Sequence, residues 1–456
     1  MFAVSSSRRH GAWLLPLAIV AVSFVACGDD EPTGPVAPAD FEITAETSAD
    51  SVTVSWDAQT SVDSFKVELT WNPTLTQWVA GTATEAVFTS DDGLEDGVDA
   101  TASAEAYNAA GSTASNTAPV TTDFFPWDEY YPTSLHGTRV GKGTFYNTSP
   151  NMGAESMTGV PLSSLPCTGC HWEGQPGAPN GCQGCHTEEN PGLGAEVDDS
   201  MEGVCVKCHS RLATEVSLGY SDVHRDAGMT CMDCHSMEDV HGDGNTYASM
   251  FDDGAIDAKC SNCHEDVSGV GGSYHSIHEA SVDCSTCHMQ TVVTCYNCHL
   301  EGQLENPPIK KARAKLHGWK FLVNRHNKVY PATFQSLEYQ DTTFLAWGVY
   351  FSHTIDKNAV SSCTDCHGNA NMQDLAADSI LEVVKWDGIN PPAGDAGFTT
   401  LTGVIPVPFN YQTALKFDFF HWDGTNWSFV KTGPDGWQMI PQYFTPLTDA
   451  QLQKID

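Results

Sequence analysis

Between Cys284 and His299 the chain reads CSTCHMQTVVTCYNCH, two copies of Cys-x-x-Cys-His in immediate succession. Sixteen of the 17 cysteines fall into eight such pairs: Cys167 and Cys170, Cys182 and Cys185, Cys205 and Cys208, Cys231 and Cys234, Cys260 and Cys263, Cys284 and Cys287, Cys295 and Cys298, Cys363 and Cys366. Each pair is followed at once by a histidine: His171, His186, His209, His235, His264, His288, His299 and His367. At this histidine content chance would place one there roughly one time in twenty-five, so the association is a property of the motif. Two thiols one helical turn apart can add to the two vinyl groups of a haem while the adjacent imidazole binds its iron. A zinc ribbon needs four ligands per metal and gives no reason for a histidine beside every second cysteine. A disulfide framework also leaves the histidines unexplained. The pattern therefore predicts eight covalently attached haem c groups.

An iron held by two imidazoles is six-coordinate and suited to electron transfer, whereas an iron with one can bind and activate a substrate. Apart from His10 and the eight motif histidines, the chain carries nine: His136, His224, His241, His275, His278, His317, His326, His353 and His421. Nine candidates for eight distal places predict that most or all irons have histidine on both faces. His275 and His278, three residues apart, can serve two different haems. His353, in VYFSHTI, reads as a buried ligand in an apolar strand. His326, in a basic turn, and His421, in an aromatic tail, fit least well. No catalytic residue is assigned.

The motif spacings are irregular, with first cysteines 15, 23, 26, 29, 24, 11 and 68 residues apart, which excludes a solenoid of constant repeat. Gly, Asp, Asn and Ser dominate between motifs and predict short helices and irregular loops over 123–367. The usual need for a polypeptide core relaxes there, because packed porphyrins supply apolar surface. The segment 368–456 lacks cysteine and is rich in aromatics, among them Trp386, Phe417, Phe420, Trp422 and Trp427, and predicts a β-rich region packed on the haem domain.

Upstream, SVTVSWDA and FKVELTW alternate apolar and polar residues, and further short strands follow, predicting a β-sandwich over 41–122. This segment resembles a fibronectin type III domain through Trp56 and through Ala106, Asn108 and Gly111 near its end; Ala100 stands where that family's corner tyrosine would fall. It holds no Cys or His and reads as a spacer or adhesion module. Residues 1–26, with Arg8 and Arg9 before an apolar run, read as an export signal too short to span a membrane. FVAC before Gly28 resembles a bacterial lipoprotein cleavage site, with Cys27 as the lipidated residue and 27–40 as a tether. The fold class expected is thus multidomain: an all-β sandwich, a mostly irregular and short-helical multihaem domain, and a β-rich tail.

The formal net charge of −37 excludes nucleic acid as a partner. Seven of the 21 basic residues crowd into 310–328: Lys310, Lys311, Arg313, Lys315, Lys320, Arg325 and Lys328. The reading preferred is compensation of haem propionates, about sixteen for eight haems; an anion or partner site is the alternative.

The eight motifs and the surplus of histidines resemble the octahaem multihaem cytochromes c, over about Asp123 to His367. That resemblance implies a chain of haems wrapped by helices and loops. Relatives of hydroxylamine oxidoreductase and octahaem nitrite reductase compete within it. The latter usually replace one proximal histidine with lysine, whereas all eight motifs here end in histidine. The former need an iron with an open face and a haem-linked tyrosine; Tyr131, Tyr339 and Tyr350 are available. The function expected is electron transfer at a bacterial cell envelope by a lipid-anchored protein on the outer membrane facing the cell surface. Its partners would be redox proteins or extracellular acceptors, with self-assembly left open. The alternative is an oxidoreductase of a small nitrogen or sulfur compound at one five-coordinate haem.

Overall fold

The computed structural model describes residues 36–48, 51–89, 92–140, 153–161, 185–186, 200–201, 203–264, 267, 273–304, 314–389, 397–423, 425–431, 437–440 and 443–456. The export signal, Cys27, the motif at Cys167, Cys170 and His171, and Cys182 lie outside them. The chain divides into two compact units, Met1–Asp123 and Phe124–Asp456. No described helix is long and apolar enough to cross a membrane.

In the first unit the period-two patterns become strands. β1 (Ile43–Thr47), β2 (Ser51–Trp56) and β5 (Glu85–Thr89) form one antiparallel sheet. β3 (Ser64–Thr70), β4 (Thr74–Ala80), β6 (Asp99–Asn108) and β7 (Gly111–Thr121) form the other, in the order β4-β3-β6-β7. Alternate residues point inward: Val52, Val54 and Trp56 from β2, and Phe65, Val67 and Leu69 from β3, are buried. β6 lines its inner face with Ala100, Ala102, Ala104 and Ala106, all buried, so Ala100 fills core space where a corner tyrosine would bond the backbone. Residues 36–40, which the sequence assigns to the tether, run along this sandwich. Asn108 donates from Nδ2 to the Val36 carbonyl at 2.8 Å, and Thr113 from Oγ1 to the Pro38 carbonyl at 2.6 Å.

The second unit departs from the expectation of irregular structure. β8 (Val292–His299), β9 (Ala314–Arg325), β10 (Lys328–Tyr339) and β11 (Thr342–Val349) are joined by β14 (Gly403–Pro406) and β18 (Trp437–Met439) in a six-stranded mixed sheet, ordered β14-β9-β8-β10-β11-β18. A second sheet, β13-β12-β15, comprises β12 (Leu381–Trp386), β13 (Phe398–Thr400) and β15 (Leu415–Phe417); β16 (Phe420–Trp422) and β17 (Trp427–Phe429) form a hairpin. One core unites Trp319, Phe321, Phe334 and Trp347 with Val383, Phe417, Phe419 and Phe420. The tail therefore does not lie over a finished domain. It donates edge strands to the large sheet and half of that sheet's core.

The contrast with the preceding segment is sharp. Among the described residues from Phe124 to His288, Ala154 and Ala255 are the sole buried hydrophobic residues. Short helices and turns prevail there, as the sequence predicts. That stretch, which holds six of the eight motifs, has no apolar polypeptide core of its own among the described residues.

Candidate haem-binding centres

Five motifs close the same local turn. The motif histidine N–H donates to the carbonyl of the first cysteine at 2.9 Å in His209–Cys205, 3.0 Å in His235–Cys231, 2.9 Å in His264–Cys260 and 2.8 Å in His367–Cys363. Cys284–His288 is itself a helical turn, whose N-cap Asp283 accepts from Ser285 N–H at 3.0 Å. One turn brings two thiols and an imidazole to one side, the arrangement that thioether attachment with proximal ligation requires. No disulfide joins any of the thirteen described cysteines, and among the described residues no group of three or more His, Cys, Asp or Glu side chains is arranged to hold a metal ion.

Six motif histidines are each paired with one candidate distal histidine. Ring centres lie 6.2 Å apart for His186 and His241, 6.1 Å for His209 and His136, and 6.4 Å for His235 and His353. They lie 6.1 Å apart for His264 and His224, 6.0 Å for His288 and His275, and 6.1 Å for His367 and His278. Two imidazoles on opposite faces of one iron, each bonded at about 2.0 Å with about 1.1 Å from nitrogen to ring centre, would stand about 6.2 Å apart. Simple ring packing allows similar distances. It gives no reason for six pairs that each join one motif histidine to one non-motif histidine. The residues present therefore fit haem c at these six motifs.

Hydrogen bonds fix which ring nitrogen is left over. His235 Nδ1 lies 2.9 Å from Asp239 Oδ2, and His278 Nδ1 2.9 Å from the Tyr274 carbonyl, so Nε2 is the nitrogen free for a metal. The Asp239 carboxyl is itself buried, its side chain 4% exposed: burial opposes its ionisation, but the bonds from His235 and from Asp257 and Ala258 N–H outweigh that and hold its pKa below the ordinary value. Glu215, fully buried, accepts from Tyr350 Oη at 2.8 Å and from His353 N–H at 3.1 Å. Burial is the larger influence there and pushes its pKa up.

The pairs follow one another in sequence order. Helix Met237–His241 carries His241, bonds His235 through Asp239, and offers the Asp239 and Val240 carbonyls to His136, so it touches three pairs. Arg225 donates from Nη1 to the His353 carbonyl at 3.4 Å, and Asp222 caps the turn bearing His224 while accepting from Ile355 N–H at 2.8 Å. This ties the His235 pair to the His264 pair. The Cys260 and Cys284 side chains are neighbours, so the motifs of the His264 and His288 pairs adjoin. Helix Ser273–His278 carries both His275 and His278, which serve the last two.

One expectation needs correction, and the other candidates are placed as follows. His353 follows β11 in an extended segment; Ser352 and Thr354 point into the core while His353 points out of it. His326, at φ 49°, occupies the tight turn between β9 and β10 and pairs with none of the described motif histidines. The basic run does not form one patch among the described residues. Lys320 is buried, its pKa lowered by that burial, and donates to the Thr286 and Met289 carbonyls at 3.0 and 2.7 Å, at the end of the Cys284 turn. Lys315 reaches Thr214 Oγ1 at 3.1 Å, and Lys328 the Glu279 carbonyl at 3.0 Å. His317 donates or accepts at Nδ1 with Tyr220 Oη at 2.8 Å.

The motif at Cys295 is different. It lies in β8, opposite β10, with Cys295 facing Gln335, Cys298 facing Leu337 and His299 facing Glu338. Three steps of β8 thus match two of β10, a bulge at Tyr296 and Asn297, where Asn297 has φ 55°. Residues directly opposite share a face and neighbours alternate. Both cysteines therefore lie on one face and His299 on the other. His299 is 2% exposed; its Nδ1 lies 2.6 Å from Glu338 Oε2 and its Nε2 3.0 Å from Asn297 Nδ2. Its ring packs on Trp427 and Phe420. His421 contributes Nδ1 to Glu338 Oε1 at 2.7 Å. Sequence reading missed Glu338, Asp239, Asp222 and Glu215. Asp239, four residues after His235 on a helical turn, was within reach of a spacing argument; Glu338 and Glu215 gain their partners from distant segments.

No family model matches this chain, and no curated protein matches it. Among solved structures it is similar to the fn3 domain of human collagen alpha-1(XX) chain, at 20% identity over 21% of this chain and 93% of that one, with a TM-score of 0.17. It is also similar to an Fn3-like protein from Clostridium thermocellum, at 19% identity over 19% of this chain and 93% of that one, with a TM-score of 0.16. At those scores the sandwich rests on its own strand order.

Proposed function

We propose that this chain is a multihaem electron-transfer protein of the bacterial cell envelope. The observation that carries this reading is the one-to-one pairing of six motif histidines with six others at 6.0–6.4 Å. When bound, haem c supplies a one-electron couple at each iron. The chain's part is to fix six imidazole pairs in a row that follows its own sequence. Asp239 and the Tyr274 carbonyl hold His235 and His278 by Nδ1, and the irons so ligated would have no open face for a substrate. Lipidation at Cys27 would hold the protein at the outer membrane facing the cell surface, with the sandwich as spacer and redox proteins or extracellular acceptors as partners. No described residue favours the oxidoreductase alternative.

The test is turnover. The reduced protein should be reoxidised by a soluble iron(III) chelate, while hydroxylamine, nitrite and tetrathionate are not consumed. Sustained consumption of any of the three would overturn the carrier reading in favour of an enzyme.

A further inference from the structure

We propose that the motif Cys295–Tyr296–Asn297–Cys298–His299 carries no haem, so that the mature protein holds fewer haems than its eight sequence motifs. This rests on the haem-binding reading of the other motifs and concerns this one alone.

Three independent observations carry it. First, the thiols and the imidazole are on opposite faces of a sheet. The register with β10 puts Cys295 and Cys298 beside Gln335 and Leu337, and His299 beside Glu338. Thioethers formed on one face would leave the porphyrin there, with the sheet between its iron and the motif histidine. Cys298 instead packs in an apolar cluster with Leu337 and Phe344.

Second, neither nitrogen of His299 faces open space. Nδ1 stands 2.6 Å from Glu338 Oε2 and Nε2 3.0 Å from Asn297 Nδ2, and the Asn297 side chain is in turn fixed by the N–H and carbonyl of Phe420 at 3.0 and 2.9 Å. The histidines of the paired motifs contrast with this, as His235 uses Nδ1 for Asp239 and keeps Nε2. His299 serves as a tie between β8, β10 and the β16–β17 hairpin.

Third, the ligand count closes without it. Two of the nine distal candidates stand apart: His421 bonds the same Glu338 that lies against His299, and His326 sits in the hairpin turn between β9 and β10, beside none of the described motif histidines. Seven remain for the seven other motifs, six of them already paired.

Peptide mapping of the full chain, matured in a host that attaches haem c, decides the matter. The peptide spanning Cys295–His299 should carry no haem and, after reduction, two alkylated thiols. A haem on that peptide overturns the inference. If the peptides bearing His186, His209, His235, His264, His288 and His367 also lack haem, the haem reading itself fails. A second arm uses the double variant Cys295→Ala with Cys298→Ala. Its haem content per chain should equal that of the parent; loss of one haem equivalent overturns the inference.

Discussion

Replacing His353 by alanine should convert one low-spin iron into a high-spin iron that binds external ligands. His353 faces His235 at 6.4 Å between ring centres, and its backbone is held independently of its ring. Glu215 accepts its N–H, Arg225 bonds its carbonyl, and Ser352 and Thr354 on either side are buried. The segment should therefore stay in place when the ring is removed, leaving a hole the size of an imidazole on the distal side. The expected result is one equivalent of high-spin signal, carbon monoxide binding to about one iron per chain, and return to low spin on adding free imidazole. An unchanged low-spin spectrum, with no ligand uptake, would show that His353 does not ligate iron.

The second large effect concerns the chain made without haem attachment. Between Phe124 and His288 the described residues bury no hydrophobic side chain larger than alanine, whereas the sandwich and the region from Met289 onward have full cores. A segment that cannot bury apolar surface cannot offset its conformational entropy and folds only with a partner that supplies that surface. Haem-free protein exposed to a protease should be cut throughout 124–288 while fragments near 36–123 and 289–456 persist. The two classes of site should differ by on the order of 100-fold or more in cleavage rate, a gap of a few kcal/mol in opening free energy. Equal protection of all three regions would mean that 124–288 folds by itself.

These outcomes also show where the sequence was readable. The motifs were visible because covalent chemistry demands adjacent residues, so their spacing is local. Distal ligands were visible as a count, nine for eight, but not as assignments, because each pair is made by a fold that joins positions up to 118 residues apart, as in His235 and His353. The sandwich strands, which pair largely with near neighbours, were legible from alternation. The large sheet was not: β9 pairs with β14 some eighty residues later and β11 with β18 about as far on, so its strands are specified by contacts that no local window contains. The motif at Cys295 misleads for the same reason. Its five letters match its neighbours, and its strand conformation is imposed by β9 and β10.

The central claim is that six motif histidines share their irons with six other histidines. Electron paramagnetic resonance of the fully oxidised, haem-loaded protein, with spins quantified per chain, tests it most directly. The account predicts at least six low-spin irons with bis-imidazole signals in every chain. Fewer than six, with the balance appearing as stoichiometric high-spin iron, would contradict it and transfer the protein to the class of haem enzymes with an open coordination site.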